Sequence, residues 1–213
     1  MRASCALAAA ALLLSGCGLI TVEGSGVEAS DERNVEAFRE IEVDGSADVT
    51  VTVGGPPSVT VTTDDNLLER VTTEVGGDRL RVDIDGNLAT SLGIRVDVVT
   101  PELDTVVLGG SGSIEAGELT AEELDVQLDG SGRITATGTV VDLEVSLSGS
   151  GRVALFDLRA QDADVHLDGS GDVQVTATGE LDADLNGSGT ITYDGSPEQI
   201  STDVDGSGEV TPR

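Results

Sequence analysis

The sequence predicts an all-β fold: a single-stranded, right-handed parallel β-helix, or solenoid, with coils of about 19 residues. Three observations predict it. A Gly-Ser-Gly triplet recurs at a nearly constant interval, aliphatic residues recur at fixed distances from each triplet, and Val, Ile and Thr alternate with polar residues in between. The right hand is expected because crossover connections between parallel strands are right-handed in nearly all proteins.

The triplets begin 18 to 20 residues apart, an interval that suits one turn of a solenoid. Glycine lacks a Cβ atom and permits the backbone angles of a sharp bend. Each triplet is therefore predicted to form the same corner of successive coils. The predicted corner glycines are Gly110, Gly112, Gly130, Gly132, Gly149, Gly151, Gly169, Gly171, Gly187, Gly189, Gly206 and Gly208.

The aliphatic residues around the triplets form three columns, which are predicted to stack inside the solenoid because side chains alternate in and out along a strand. One repeat cannot bury its aliphatic face alone, so neighbouring coils must stack. An earlier coil is predicted at residues 41–51, where Gly45-Ser46-Ala47 replaces the triplet. The column two residues before the first glycine of each triplet consists of Leu108, Leu128, Leu147, Leu167, Leu185 and Val204. The column four residues before it consists of Val106, Val126, Val145, Val165, Ala183 and Thr202. The column four residues after it consists of Ile114, Ile134, Val153, Val173, Ile191 and Val210.

The N-terminus has the organisation of a bacterial lipoprotein leader. A short basic start precedes an apolar run from Cys5 to Leu14, which is too short to span a bilayer. Residues 14–17 (Leu-Ser-Gly-Cys) resemble the lipobox, which implies cleavage after residue 16 and acylation of Cys17. An ordinary secretory signal peptide is the alternative, but it leaves Cys17 as the only cysteine of the mature chain, without a partner for a disulfide.

Residues 17–34 are polar, contain glycine and lack sustained alternation, so they are predicted to be the lipidated cysteine and a flexible tether. Residues 35–213 are predicted to be the solenoid domain. Within it only residues 66–71 could form a helical turn. Aromatic residues are almost absent (Phe38, Phe156 and Tyr193), so the core must be a thin aliphatic one.

The net charge of −29, with eleven arginines and no lysine, argues against nucleic acid and anionic lipid headgroups as partners. One outward column is continuously acidic and is predicted to form a ladder of carboxylates about 4.8 Å apart: Asp125, Glu144, Asp164 and Asp182. A second column, directly before each triplet, alternates charged with uncharged residues: Gly109, Asp129, Ser148, Asp168, Asn186 and Asp205.

A ladder of carboxylates could bind divalent cations, since one Ca²⁺ takes six to eight oxygen ligands and could bridge two coils. A solvated acidic face explains the same row, and we favour that interpretation; no other cofactor is expected. A calcium β-roll does not fit, because Ile114 stands where its motif has a liganding aspartate.

No catalytic group is predicted. His166 is the only histidine, lies in an outward position and is expected to be a solvent-facing polar residue. The serines of the triplets recur as corner residues without a paired base. Outward carboxylates could in principle serve a polysaccharide-cleaving enzyme, but no distinct acid–base pair stands out.

Several segments occur in an order that resembles the putative auto-transporter adhesin head GIN domain family, over roughly residues 35–213. They are residues 38–43 (FREIEV), 65–68 (DNLL), 101–103 (PEL), the repeated triplets and 193–197 (YDGSP). The resemblance implies a parallel β-helix and an adhesive or surface role, and it implies no catalytic residues.

The predicted function is therefore that of a lipid-anchored module of the cell envelope, exported across the inner membrane to the periplasmic or cell-surface side. It would bind or adhere through its acidic outer face, without enzymatic activity. The expected partners are the membrane, through the anchor, and a glycan or an envelope protein. A carboxylate-dependent polysaccharide lyase or hydrolase is the alternative function.

Overall fold

The structure is a computed structural model that describes residues 21–213; the predicted leader and Cys17 lie outside the described residues. All regular elements there are strands apart from a single 3₁₀ turn, Leu68–Arg70, which falls within the range predicted for a helical turn. The strands are β1 (Thr21–Glu23), β2 (Glu28–Arg33), β3 (Glu40–Gly45), β4 (Asp48–Val53), β5 (Ser58–Asp64), β6 (Val71–Gly76), β7 (Arg79–Ile84), β8 (Asn87–Ala89), β9 (Arg95–Thr100), β10 (Thr105–Gly110), β11 (Ser113–Gly130), β12 (Arg133–Gly149), β13 (Arg152–Gly169), β14 (Asp172–Ala177), β15 (Glu180–Gly187), β16 (Thr190–Gly195), β17 (Gln199–Gly206) and β18 (Glu209–Pro212).

From β10 onward the chain winds into stacked parallel coils, so the predicted β-solenoid is confirmed. Successive coils pair in parallel through β10–β11–β12–β13, then through β15–β17 on one side of the corner and β14–β16–β18 on the other. The first glycines of the triplets lie side by side in this register, together with Gly45 of the earlier coil.

Gly130 and Gly132 show why the corner requires glycine at both ends of the triplet. Gly130 has φ of +131°, and a Cβ atom there would lie 2.4 Å from the carbonyl oxygen of Gly110 in the preceding coil. A Cβ atom on Gly132 would lie 2.7 Å from the carbonyl oxygen of Gly112. The close approach of successive corners allows hydrogen bonds between them. The carbonyl oxygen of Gly110 accepts hydrogen bonds from the backbone N–H groups of Ser131 (2.9 Å) and Gly132 (3.0 Å).

The three predicted aliphatic columns form the interior. Each of their members up to Ile191 is buried, and the column that begins with Leu108 remains at 0 or 1% exposure through Leu185. The last coil differs: Val204 is 42% exposed, because among residues 21–213 no strand pairs with β17 on its outer side. A core one side chain deep therefore depends on stacking, as the scarcity of aromatic residues suggested.

Differences in coil length among β11, β12 and β13 are absorbed at one place in the coil. The register between β11 and β12 shifts between Ala116 and Leu119, where the longer coil carries one extra residue. Glu118 there has φ of +59°, and its backbone N–H donates to Thr137 Oγ1 at 3.2 Å. The pairing of β12 with β13 shifts at the equivalent place, between Thr135 and Gly138. The triplet corners consequently stay aligned although the intervals are unequal.

The N-terminal part is not a simple continuation of the solenoid. The coil of β3 and β4 lies between the coil of β10 and β11 and an outer coil of β7 and β9, so the spatial order of the coils differs from the chain order. Three antiparallel pairs complete this end: β2 with β5, β5 with β9 and β6 with β7.

The predicted flexible tether needs correction over residues 21–33. Strand β1 pairs with β8, and β2 pairs with β5 along its whole length. The guanidinium group of Arg33 donates hydrogen bonds to the carbonyl oxygens of Val71 (2.6 Å) and Leu68 (2.9 Å), which attaches the end of β2 to the body. The ordered structure therefore begins before residue 35. An edge strand obtains its stability from backbone pairing, so it needs no apolar alternation.

A buried carboxylate contributes to the same attachment. Asp64 is 0% exposed and accepts hydrogen bonds from Thr90 Oγ1 (2.5 Å) and from the backbone N–H of Gly26 (2.6 Å). These two donors lower the pKa of Asp64 below its ordinary value because they stabilise the ionised form, and the Thr90 hydroxyl has the larger effect.

Within residues 21–213 no helix is long and apolar enough to cross a membrane.

Candidate binding surface

The four carboxylates of the predicted ladder occupy directly adjacent positions on four strands. Asp125 pairs with Glu144, Glu144 with Asp164, and Asp164 with Asp182. The row ends at neutral residues on both sides, since Thr105 precedes Asp125 and Ser201 follows Asp182. Neighbouring strands are about 4.8 Å apart, which sets the spacing of the row.

A second acidic row, absent from the sequence-based prediction, runs beside the first. Glu123 pairs with Asp142, and Asp142 with Asp162. The backbone N–H of Glu180 donates to Asp162 Oδ1 at 2.7 Å, which places Glu180 next in the row. These residues precede the triplets by seven positions, so the same counting that found the first row could have found this one. We call the two rows together the acidic face: Glu123, Asp125, Asp142, Glu144, Asp162, Asp164, Glu180 and Asp182.

The acidic face has no arginine counter-charges. None of its eight carboxylates forms an ion pair with any arginine of residues 21–213, although arginine pairs with acidic residues elsewhere. In the N-terminal coils Arg79 contacts Glu40 at 2.8 Å and Glu42 at 3.0 Å, so these two outward acids are neutralised. The charge of the acidic face is therefore left to solvent or to a ligand.

Two side chains at the margins of the acidic face complete its geometry. Asp125 Oδ2 accepts a hydrogen bond from Gln127 Nε2 at 2.7 Å, while Asp125 Oδ1 is buried without a hydrogen-bond partner. His166 is exposed, as its outward position predicted. Its Nδ1 lies 3.6 Å from Asp164 Oδ1 and its Nε2 lies 3.3 Å from Asp184 Oδ2.

The column directly before the triplets differs from the acidic face. Asp129 pairs with Ser148 and Ser148 with Asp168, and Asn186 separates Asp168 from Asp205. Like charges in this column are two strand spacings apart, about 10 Å, which is close to the Debye length at physiological ionic strength. In this column the alternation of charged and neutral residues reduces the repulsion between carboxylates. The acidic face has no such alternation.

The acidic face borders a shallow groove of about 330 Å³, whose apolar floor includes Leu143 and Ala163. In the part of the chain that the structure describes, no three His, Cys, Asp or Glu side chains are arranged to hold a metal ion. Cation binding by Asp125, Glu144, Asp164 and Asp182 therefore stays a prediction. Six of the eight carboxylates of the acidic face are exposed, while Asp125 and Asp162 are partly buried.

A family model covers most of the chain and agrees with this architecture. Residues 37–197 match the family described as "Putative auto-transporter adhesin, head GIN domain". The chain belongs to this family, so the resemblance inferred from the sequence motifs is confirmed. A comparison with curated protein sequences gives no match.

Several solved structures are similar to this chain over most of its length. A protein of Bacteroides fragilis described as a putative adhesin is 20% identical, with a TM-score of 0.72 over 90% of this chain and 100% of its own. A protein of Parabacteroides distasonis described as a putative lipid binding protein is 24% identical, with a TM-score of 0.62 over 91% of this chain and 100% of its own. A second protein of P. distasonis, described as a putative adhesin, is 22% identical with a TM-score of 0.59 over 91% and 100%. At these identities the likeness shows the shared fold.

Proposed function

We propose that the protein is a non-enzymatic binding module of the cell envelope, held at a membrane by acylated Cys17, and that it binds its partner through the acidic face. The family description and the solved structures described as adhesins support a binding role. The partner would be a glycan or an envelope protein that presents positive charge, or that is joined to the carboxylates by divalent cations.

The proposal rests on one observation. The carboxylates of the acidic face lie on directly adjacent strands, although the same fold also accommodates a column in which charged and neutral residues alternate. Solubility requires net charge, and the alternating column of Asp129, Ser148 and Asp168 supplies charge with little repulsion. The acidic face instead places like charges on adjacent strands, at a cost of about 1 kcal/mol per pair in water. A repulsive, regularly spaced array is suited to a ligand with repeated positive charge, which would relieve that cost on binding.

Binding by the purified mature protein tests the role of the acidic face. A glycan array and a pull-down from envelope extracts would be compared for the unchanged protein and for a double variant, Glu144→Gln with Asp164→Asn. We expect the variant to remain folded and to lose most of the binding. Asp85→Asn is the control, because Asp85 lies in the N-terminal part, away from the acidic face, and pairs with Arg70 at 2.9 Å. Equal binding by the unchanged protein and the double variant would contradict the proposal.

The same double variant addresses the enzymatic alternative. A carboxylate-dependent lyase or hydrolase would lose product formation with polysaccharide substrates when its acid or base is neutralised. A binding module forms no product in either case. Product formation by the unchanged protein, abolished in the double variant, would replace the proposed function with the alternative.

The anchor is tested separately from the surface. Acylation of Cys17 predicts that the protein incorporates labelled palmitate and partitions into the detergent phase. Cys17→Ser is expected to abolish both, since two acyl chains contribute about 0.8 kcal/mol per buried CH₂ group. A Cys17→Ser protein that still partitions with membranes would refute the lipid anchor and leave the role of the acidic face unaffected.

A further inference from the structure

A second surface lies on the other side of the triplet corner, and unlike the acidic face it carries arginine side chains beside its carboxylates. Four outward positions just past the corner follow one another on adjacent strands: Ser113, Arg133, Arg152 and Asp172. Together with Ser131 they line a groove of about 410 Å³ at the corner. We call this depression the corner groove. Its other lining residues include Asp48, Ser111 and Ser150.

The charged side chains at the ends of the corner groove have hydrogen-bond partners, whereas the arginine at its centre has no carboxylate partner among residues 21–213. Asp48 accepts a hydrogen bond from Ser113 Oγ at 2.6 Å, and Asp172 pairs with Arg152 at 2.6 Å. Arg133 lies between them and is exposed. Within residues 21–213 every arginine except Arg133 and Arg159 forms an ion pair with a carboxylate.

An unpaired arginine is unexpected on a chain of net charge −29, where carboxylates are abundant and lysine is absent. Its neighbour Arg152 lies one strand spacing away, and of these two guanidinium groups only that of Arg152 has an acidic partner, Asp172. A guanidinium group presents N–H donors in a planar fork that matches a carboxylate, a phosphate or a sulfate. The centre of the corner groove therefore has the chemistry of a site for one anionic group.

A neighbouring depression indicates which molecule carries that anion. It has a volume of about 420 Å³ and shares Ser113 and Arg133 with the corner groove. Hydroxyl, amide and carboxylate side chains line it beside the apolar surface of Ala154 and Phe156. The guanidinium group of Arg213 covers one face of the Phe156 ring, 4.5 Å from its centroid, and so holds the ring in place. The polar lining residues are Ser113, Glu115, Arg133, Thr135, Thr137, Asp157 and Gln174.

We propose that the corner groove and its neighbouring depression form a binding site for an acidic saccharide. The sugar carboxylate would accept hydrogen bonds from the guanidinium groups of Arg133 and Arg152. Its hydroxyl groups would bond with side chains such as Thr135 and Gln174, and the apolar face of the ring would lie on Ala154 and Phe156. Small-molecule sites combine an apolar surface with a few converging polar groups, as here. This site lies apart from the acidic face and goes beyond the proposed function.

A galacturonic acid trisaccharide is a suitable probe, with the galactose trisaccharide as its neutral counterpart. Binding to the purified mature protein would be followed by titration of amide resonances with nuclear magnetic resonance. We expect the acidic trisaccharide to shift resonances of residues around Arg133 and Arg152. The substitution Arg133→Gln should weaken binding at least about tenfold, because a charge-assisted bidentate contact is lost. Arg133→Lys, which keeps the charge without the fork, should fall in between.

Arg159→Gln is the matched control, since it removes an exposed, unpaired arginine away from the corner groove and should leave binding unchanged. Unchanged melting temperatures would show that both variants are folded. Equal binding of the acidic and neutral trisaccharides, or equal weakening by Arg133→Gln and Arg159→Gln, would overturn the site. Inorganic sulfate that binds as tightly as the trisaccharide would overturn its assignment to a saccharide. None of these results depends on the acidic face.

Discussion

Neutralising two adjacent carboxylates of the acidic face should stabilise the protein, although no contact is added. The double variant Glu144→Gln with Asp164→Asn removes three nearest-neighbour repulsions, because Asp125 and Asp182 also lie next to the changed positions. At a spacing of about 4.8 Å, each pair of charges repels by about 1 kcal/mol in water. The free energy of unfolding is therefore expected to rise by up to about 2.5 kcal/mol when screening is weak.

The expected stabilisation should decrease as the salt concentration rises, because salt screens the repulsion between the carboxylates. The Debye length is about 30 Å at 0.01 M, 8 Å at 0.15 M and 3 Å at 1 M ionic strength. The expected stabilisation is thus about 2 kcal/mol at the lowest of these, about 1.5 kcal/mol at the second and about 0.5 kcal/mol at the highest. These are upper limits, because a side chain such as Asp164, 63% exposed, can swing away from its neighbours.

Urea unfolding at the three ionic strengths, with a chelator present, measures the effect. Asp172→Asn is the control variant with the opposite expected effect, because it removes the 2.6 Å pair with Arg152. It should not stabilise the protein at any of the three ionic strengths. A double variant that is less stable than the unchanged protein at low salt would refute the reasoning. It would show that these carboxylates make favourable contacts in the folded state.

Three further predictions concern the cation hypothesis, the corner and the buried carboxylate. If divalent cations bridge the acidic face, millimolar calcium should raise the melting temperature of the unchanged protein and leave that of the double variant nearly unchanged; the absence of any shift removes the hypothesis. Gly130→Ala should cost about 2–4 kcal/mol in a denaturation experiment, because the new methyl group meets the carbonyl oxygen of Gly110 at 2.4 Å. Gly77→Ala, at φ of +67° with no atom within 4 Å, should cost only about 1 kcal/mol, and equal costs would contradict the packing argument. Asp64→Asn should lower stability at neutral pH, because the pKa of Asp64 is lowered in the folded state by the Thr90 hydroxyl. That contribution is present in full above the unfolded pKa of about 3.9 and is lost as the pH falls through the lower folded value, so melting curves of the two proteins should converge in acid.

The solenoid could be predicted from the sequence because its period is visible in residues of two kinds. The corner requires glycine for a steric reason, as at Gly130, and the interior requires aliphatic residues, as at Leu128. Both requirements repeat at each turn and so appear as columns in the sequence. The first row of the acidic face was predicted by the same counting. The second row could have been predicted too, since Glu123 and Asp142 hold equal offsets from their triplets.

The N-terminal strands were harder to predict for a physical reason. Residues 28–33 (EASDER) show no alternation of apolar and polar residues that would predict a strand. Strand β2 is held by backbone pairing with β5, which leaves no such pattern in the sequence. The outer coil of β7 and β9 packs beyond β3 and β4 although it follows them in the chain, and no local pattern encodes that order. The corner groove is also hidden in the sequence, because an arginine without a carboxylate partner can be recognised only when its surroundings are known.

Fold and surface chemistry are separable in this architecture, which makes the surface variants interpretable. On β12 the inward residues Leu143, Val145 and Leu147 are buried and support the stack, while the outward residues between and beside them face solvent. Two of those outward positions, Glu144 and Ser148, lie on the same strand, yet one belongs to an aligned acidic row and the other to an alternating column. The outer surface of the fold therefore accommodates both arrangements. The alignment at Glu144 is therefore a property of the surface, and changing it should alter binding without disturbing the stacking of the coils.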